Sequence, residues 1–226
     1  YKRQDRSSQA KYLNSPQTAI FNKSEVIYNL HGARSSIRKN KQVFLCEGYM
    51  DVIALYQAGY HEAVASMGTS LTRQQLQSLS RLASTIYILY DGDGAGQEAT
   101  RKAYELAQGL QGSQVKSVTL PQGMDPDEYI KAKGRDAFQN LLNHAFTSYE
   151  FYQHFLKGQF NLNKSDDLAD YLDQLLDQIS LLQSSIEQTL RLKELAKEFS
   201  LSYDILQEQL DRKKYLMERK QSNHPK

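Results

Sequence analysis

Two short apolar runs, Val43-Phe44-Leu45-Cys46 and Thr85-Ile86-Tyr87-Ile88-Leu89-Tyr90, constrain this chain more than any other feature. Both are rich in β-branched and aromatic residues and too short for helices, so they read as buried strands. Each stops at an acid followed by glycine: Glu47-Gly48-Tyr49-Met50-Asp51 after the first, Asp91-Gly92-Asp93-Gly94-Ala95-Gly96 after the second. The acids therefore stand where strand gives way to helix, the edge at which open α/β sheets bind ligands. Glu47, Asp91 and Asp93 gathered there repel one another, and a divalent cation relieves that repulsion. Hard oxygen donors favour Mg²⁺ or Mn²⁺. The chemistry suggested is metal-assisted handling of phosphates.

The rest of the chain supports this reading. Val26, Ile27, Leu30 and Ala33 recur at helical spacing and predict a helix from Ser24 to about Lys39. After the first strand come a helix Met50–Ala58 closed by Gly59, a short strand Ala63–Ser66, and a helix from the cap Thr72 to about Leu82. The second apolar run leads into a helix from about Gln97 to Gln108 and a strand Val115–Leu120 broken by Pro121. The loop Gly123-Met124-Asp125-Pro126-Asp127 then opens a helix near Glu128. Alternating strand and helix across residues 42–130 argues for an α/β, mostly parallel sheet flanked by helices. Beyond about Lys133 only helical patterns remain, clearest at Leu168, Tyr171, Leu172, Leu175, Leu176 and Ile179, and again at Ile205, Leu206 and Leu210. An all-helical subdomain is expected to follow the sheet, with the polar stretch Arg219–Lys226 as a linker.

With 226 residues the chain has room for one large or two small domains, and its apolar and charged content is that of a globular protein. It opens on Tyr1 in polar sequence, so a piece of something longer is expected. No signal peptide and no apolar stretch of membrane-spanning length is seen, and the single cysteine, Cys46, excludes an internal disulfide. Five scattered histidines with one cysteine make a zinc site within this fragment improbable. These features suit the cytoplasm. The net charge of +2 hides an asymmetry: residues 1–41 hold nine basic residues against two acids, a charge of +7, which leaves −5 for the remainder. A basic lobe beside an acidic, metal-seeking lobe suits the holding of a polyanion, although a solvated tail would look the same.

Each constellation has a plainer alternative. Asp91-Gly92-Asp93 could be a solvated turn with capping acids; Ala95 and Lys102 at the twelfth position argue against an EF-hand loop. The glycines Gly92, Gly94 and Gly96 lack the spacing of a dinucleotide-binding loop, yet would let backbone approach a ligand closely. Glu47 alone could be a cap, and so could Asp125, Asp127 and Glu128 around Pro126. Otherwise Asp125 and Asp127 form a further acidic edge of the same metal site. Lys11, Tyr12 and Asn14, with Lys23, make a basic and aromatic patch that is either ordinary surface or a nucleic-acid contact, Tyr12 stacking on a base.

Taken together the motifs resemble the bacterial DNA primases of the DnaG type. Lys11-Tyr12-Leu13-Asn14-Ser15-Pro16 resembles the signature ahead of that family's catalytic core, and Glu47-Gly48-Tyr49-Met50-Asp51 the first motif of its Toprim domain. Ala65-Ser66-Met67-Gly68-Thr69-Ser70, Asp91-Gly92-Asp93-Gly94-Ala95-Gly96 and Met124-Asp125-Pro126-Asp127 resemble later segments of that domain, so the likeness spans roughly residues 10–140. It implies the end of a basic N-terminal subdomain at 1–40, a Toprim domain at 41–135, and a helical subdomain with linker at 136–226. It implies a template-directed RNA polymerase making short primers from ribonucleoside triphosphates on single-stranded DNA. It further implies that Glu47 and Asp91 hold one Mg²⁺, that Asp91 and Asp93 hold another, with Mn²⁺ able to substitute, and that Asp125 and Asp127 extend the site. Lys11, Asn14 and Lys23 match positions of the family's basic ridge. A zinc-binding module is expected before Tyr1, and a domain binding the replicative helicase after Lys226.

Two other enzyme classes compete. A phosphatase of the haloacid-dehalogenase type also places two aspartates, one residue apart, after an apolar strand, with Asp91 as nucleophile and Asp93 as acid/base. It usually has Thr or Val where this chain has Ala95, and it leaves Glu47 without a task. Another Toprim enzyme, a nuclease or a topoisomerase, shares the acids, but no tyrosine stands out as the nucleophile a topoisomerase needs. A helical adaptor with an inactive core is disfavoured because all the acids are present.

Overall fold

The two apolar runs lie side by side at the centre of one sheet. The structure, a computed structural model, describes residues 24–66, 70–121 and 123–222. In chain order these form α1 (Leu30–Asn40), β1 (Gln42–Cys46), α2 (Tyr49–Gln57), β2 (Ala63–Ala65), α3 (Arg73–Ser80), β3 (Thr85–Leu89) and α4 (Gly94–Ala107). Then follow β4 (Gln114–Ser117), α5 (Pro126–Asn143), α6 (Ser148–Lys157), α7 (Ser165–Ser180), α8 (Ser185–Glu198) and α9 (Tyr203–Ser222).

The sheet is wholly parallel, in the order β2-β1-β3-β4. Val43 pairs with Ile86 and Leu45 with Ile88. Val43 through Cys46 are fully buried, because helices cover both faces and neither side of the strand meets water. Alternate side chains serve alternate faces. Val43, Leu45, Ile86 and Ile88 pack against Ala33 and Ile37 of α1, Leu76 and Leu79 of α3, and Ala103 of α4. Phe44, Cys46 and Leu89 pack on the other side against Val52 and Leu55 of α2 and Tyr129, Phe138 and Leu142 of α5. Burying each such large side chain contributes about 1.5–3 kcal/mol.

The strands and most helices fall within a few residues of the sequence expectation. Thr72 caps α3 as expected, in a capping box with Gln75. The first helix differs: it begins at Leu30 rather than Ser24. Tyr28 instead pairs antiparallel with Ala65 beside β2, Tyr28 N–H donating to Ala65 O at 2.8 Å. Asn29 turns the chain at φ 60° and donates its side-chain amide to Ala63 O at 3.0 Å. Protecting the free edge of β2 outweighs the local helical pattern.

Helix α5 carries a break at Gly134, where φ is 78°. The residues after it remain with the sheet, since Phe138 and Leu142 bury against Tyr60, Val118 and Leu120. A separate core then gathers α6 to α9 around Tyr149, Tyr171, Leu175, Ile179, Leu192, Leu195 and Leu210. The expected linker is helical for part of its length, because α9 runs on to Ser222. Among the described residues no helix is long and apolar enough to cross a membrane.

Candidate metal centre at the carboxyl edge of the sheet

The winding of the chain selects the site. From β1 the chain passes through α2 to β2 on one side, whereas β3 passes through α4 to β4 on the other. The direction of winding therefore reverses between β1 and β3, and a crevice opens at the carboxyl ends of those two strands. Glu47 follows β1 directly and Asp91 lies two residues beyond the end of β3. The register Cys46↔Leu89 brings the two acids to the same edge.

Glu47 is partly buried, and loss of water raises its carboxyl above the ordinary range. The backbone N–H of Asp91 donates to that carboxylate and opposes the rise, while the charge of Asp93 adds to it. Asp93 caps α4, its Oδ1 accepting the Gly96 N–H at 2.8 Å. Asp125 caps α5 in the same way, its Oδ1 accepting the Glu128 N–H at 2.7 Å. Asp127 pairs with Lys131, whose Nζ lies 2.7 Å from Oδ2. The capping alternative thus describes what Asp125 does in this structure.

One acid carries more of the site than its motif suggested. Asp51, in the first turn of α2, is only 7% exposed. Burial lifts its carboxyl to about 7, the charges of Asp125 and Asp91 add to the rise, and N–H donation from Gly48 and Asp127 opposes it. Asp51 therefore links the loop after β3 to the start of α5. A signal was available: positions 51, 52, 54 and 55 make up the buried side of α2, and an acid among Val52, Ala54 and Leu55 is out of place unless it serves something.

The glycines do a different job from the expected one. A Cβ on Gly92 would lie 2.3 Å from Pro121 O, and one on Gly96 would lie 2.1 Å from Asp91 O. The Gly92 N–H also donates to Met124 O at 2.9 Å. Gly92 lets the loop after β3 lie against the loop after β4, and Gly96 lets the first turn of α4 close against the backbone of Asp91. Gly94 meets nothing within 4 Å and is the open one.

Glu47, Asp91 and Asp93 are thus neighbours, and Asp125 and Asp127 join them through Asp51. Among the described residues, no three carboxylate, imidazole or thiol groups converge closely enough to hold a metal ion as they stand. The donor set is nonetheless all carboxylate oxygen, with ionisation resisted at Glu47 and Asp51 by burial first and by neighbouring charge second, and it fits a hard divalent cation. A cavity of about 740 Å³ opens beside Glu47, its lining including Ser66, Leu71, Tyr90, Ala99 and Lys102. Lys11, Tyr12, Asn14 and Lys23, together with Met67, Gly68 and Thr69, lie outside the described residues.

Comparison with known proteins agrees with this fold. Residues 44–130 match the family described as Toprim-like, residues 2–34 the N-terminal domain of the DNA primase catalytic core, and residues 149–203 the DnaB-helicase binding domain of primase. The helicase-related match falls on α6 to α8. A DNA primase of Enterococcus faecalis is 43% identical over 205 residues, covering 90% of this chain and 33% of the relative. The chain thus spans about a third of the length of the curated relatives it matches. Among solved structures, a DNA primase domain from Pseudomonas aeruginosa superposes with a TM-score of 0.73 at 30% identity, covering 90% of this chain and 64% of that one. A DnaG primase catalytic domain bound to single-stranded DNA gives 0.71 at 35% identity, covering 84% and 62%.

Proposed function

Because this chain belongs to the bacterial DnaG-type primase family and carries its Toprim domain, we propose that it contributes the catalytic centre for template-directed joining of ribonucleotides on single-stranded DNA. The observation that carries this reading is the placement of Glu47 and Asp91 at the ends of neighbouring parallel strands, where the winding reverses. Mg²⁺, or Mn²⁺ in its place, held by these carboxylates would lower the pKa of the attacking 3′-hydroxyl and neutralise charge on the triphosphate and the departing pyrophosphate. Glu47 and Asp91 would hold one ion and Asp91 with Asp93 the other. Asp125 and Asp127 would extend the acidic edge, with Asp51 fixing their position. No side-chain nucleophile is required. Lys11, Tyr12, Asn14 and Lys23 would hold template or nucleotide phosphates and bases opposite this edge. A phosphatase reading leaves Glu47 unused and gains nothing from Asp51.

Residues 149–203 would carry contacts to a DnaB-type helicase, in keeping with the family matched there. A replication enzyme with these partners works in the bacterial cytoplasm. The experiment is incorporation of labelled ribonucleotides on single-stranded DNA by the parent and by Asp91→Asn, with Mg²⁺ or Mn²⁺. Template-dependent product from the parent alone is expected. Full activity in Asp91→Asn would sink the assignment of the centre.

A further inference from the structure

A small cavity borders the loop that carries Asp91. Its volume is about 20 Å³, and its lining includes Asp91 and Gly92 of that loop, Gln97 and Thr100 of α4, Ser117 at the end of β4 and Phe151 of α6. Gly92, Thr100, Ser117 and Phe151 are buried. The cavity thus sits where the sheet, the carboxylate edge and the helical core meet. Val118, the next residue along from Ser117, packs with the α2 and α5 side of the sheet, so Ser117 faces the α4 side. Ser117 is 2% exposed, and its Oγ has no hydrogen-bond partner among the described residues. The hydroxyls of Tyr149 and Tyr171 share that condition, but neither residue lines this cavity. The Tyr104 hydroxyl lies near Ser117, and its own proton goes to Phe146 O at 2.8 Å. A serine hydroxyl has one donor and two acceptor sites, so even a bond donated to Tyr104 leaves both acceptor sites of Ser117 open. A buried polar group in that condition calls for a partner.

The size of the space selects the partner. A cavity needs on the order of 10–15 Å³ to hold one water, and a buried water makes about three hydrogen bonds. The space here admits a water and no organic molecule. Thr100 Oγ1 donates to Gly96 O at 2.9 Å and keeps its acceptor sites. Ser117 Oγ and Thr100 Oγ1 can therefore both accept from a water, and the amide of Gln97, another lining residue, can donate to it. We propose that this cavity holds one ordered water, accepted by Ser117 Oγ and Thr100 Oγ1, that supports the Asp91–Gly92 loop and makes Ser117 a positioning residue for the carboxylate centre. The link to Asp91 is short. Thr100 is bonded to Gly96, and Gly96 lies so close to Asp91 that an added Cβ would meet Asp91 O at 2.1 Å. The water joins β4 to the turn that aims Asp91. The positioning role rests on the reading of Asp91 as a metal ligand, whereas the water itself does not.

The test is a crystal structure of this chain at a resolution that shows single waters. Mn²⁺ affinity by electron paramagnetic resonance and thermal melting are measured beside it on the parent, Ser117→Thr and Ser117→Val. Thr and Val share a shape and differ by a hydroxyl. One density peak within hydrogen-bond distance of Ser117 Oγ and Thr100 Oγ1 is expected in the parent. Ser117→Val should lose that peak and bind Mn²⁺ about tenfold more weakly. It should melt no lower than Ser117→Thr, because apolar atoms fill the space and leave no hydroxyl without a partner. Ser117→Thr should bind Mn²⁺ like the parent. Mere loosening of the fold would instead lower melting and affinity together in both variants. An empty cavity in the parent overturns the proposal outright. Equal Mn²⁺ affinity in Ser117→Thr and Ser117→Val overturns the positioning role. Should both variants fail to fold, Ser117→Ala, which removes the hydroxyl and adds no atom, carries the same comparison with the parent. A parent that binds no Mn²⁺ would overturn the carboxylate centre and the positioning role with it, while the density beside Ser117 would still decide the water.

Discussion

The carboxylate of Glu47 accepts a hydrogen bond from the backbone N–H of Asp91 across the two central strands. The contact joins the acid after β1 to the backbone of the loop after β3. A metal bound at this edge would therefore meet a prepositioned pair. Glu47→Gln keeps an acceptor for that N–H but removes the charge. Primer synthesis should fall by at least about 10²-fold, the scale on which lost electrostatic stabilisation reads. Mn²⁺ affinity, followed by electron paramagnetic resonance, should fall with it. Undiminished Mn²⁺ binding would show that Glu47 is not a ligand.

Asp51 makes the metal-free protein sensitive to pH. Its folded carboxyl titrates at about 7 against an ordinary 3.8. The folded state therefore binds the proton more tightly than the unfolded state. The associated stability is fully present below about pH 4 and is lost as pH rises through about 7, up to about 2–4 kcal/mol in all. Glu47 is shifted in the same direction. Asp51→Asn should raise stability at pH 8 and flatten the difference between pH 5 and pH 8 in urea unfolding. An unchanged slope would mean that burial of this carboxyl costs little.

Gly92 and Gly94 should answer differently to the same change. Gly92→Ala places a methyl group against Pro121 O, a backbone atom that cannot swing away. Destabilisation of about 1–3 kcal/mol and loss of primer synthesis are expected, because Asp91 shifts with the loop. Gly94→Ala meets open space at the first turn of α4 and should be neutral or slightly stabilising. Thermal melting of both variants decides it, and equal melting temperatures would show that the loops are not interlocked.

Local pattern carried the reading as far as interactions were local. The strands were legible because parallel strands covered on both faces need unbroken apolar runs, and the acids because they close those runs. The start of α1 was not, since the pairing of Tyr28 with Ala65 spans distant sequence that no window around Val26 contains. Asp51 was visible in its motif, but its burial depends on α5, whose Asp127 backbone comes from 76 residues further on. Gly92 and Gly96 are legible as places of close approach; that the groups approached include Pro121 O at Gly92 and Asp91 O at Gly96 depends on the loop after β4 and on the turn into α4. Asp125 was legible as a cap because Pro126 and Glu128 complete the local signature.

The same distinction explains why Arg219 and its neighbours, polar and linker-like in sequence, continue a helix. Lys213 of α9 sits between Asp173 and Asp177 of α7, at 2.9 and 2.7 Å, with its side chain only 15% exposed. Leu210, one turn before it, is fully buried. Lys213→Ala leaves both aspartates on α7 without their cation and should cost about 1 kcal/mol, an amount that shrinks in high salt. Leu210→Ala leaves a cavity and should cost about 2–5 kcal/mol regardless of salt. Hydrogen exchange of the α9 amides measures both. Loss of protection confined to α9 in Lys213→Ala, and spread through α6 to α9 in Leu210→Ala, is the expected pattern. Full protection of α9 in Lys213→Ala would show that the helix needs no ionic clamp to stay docked.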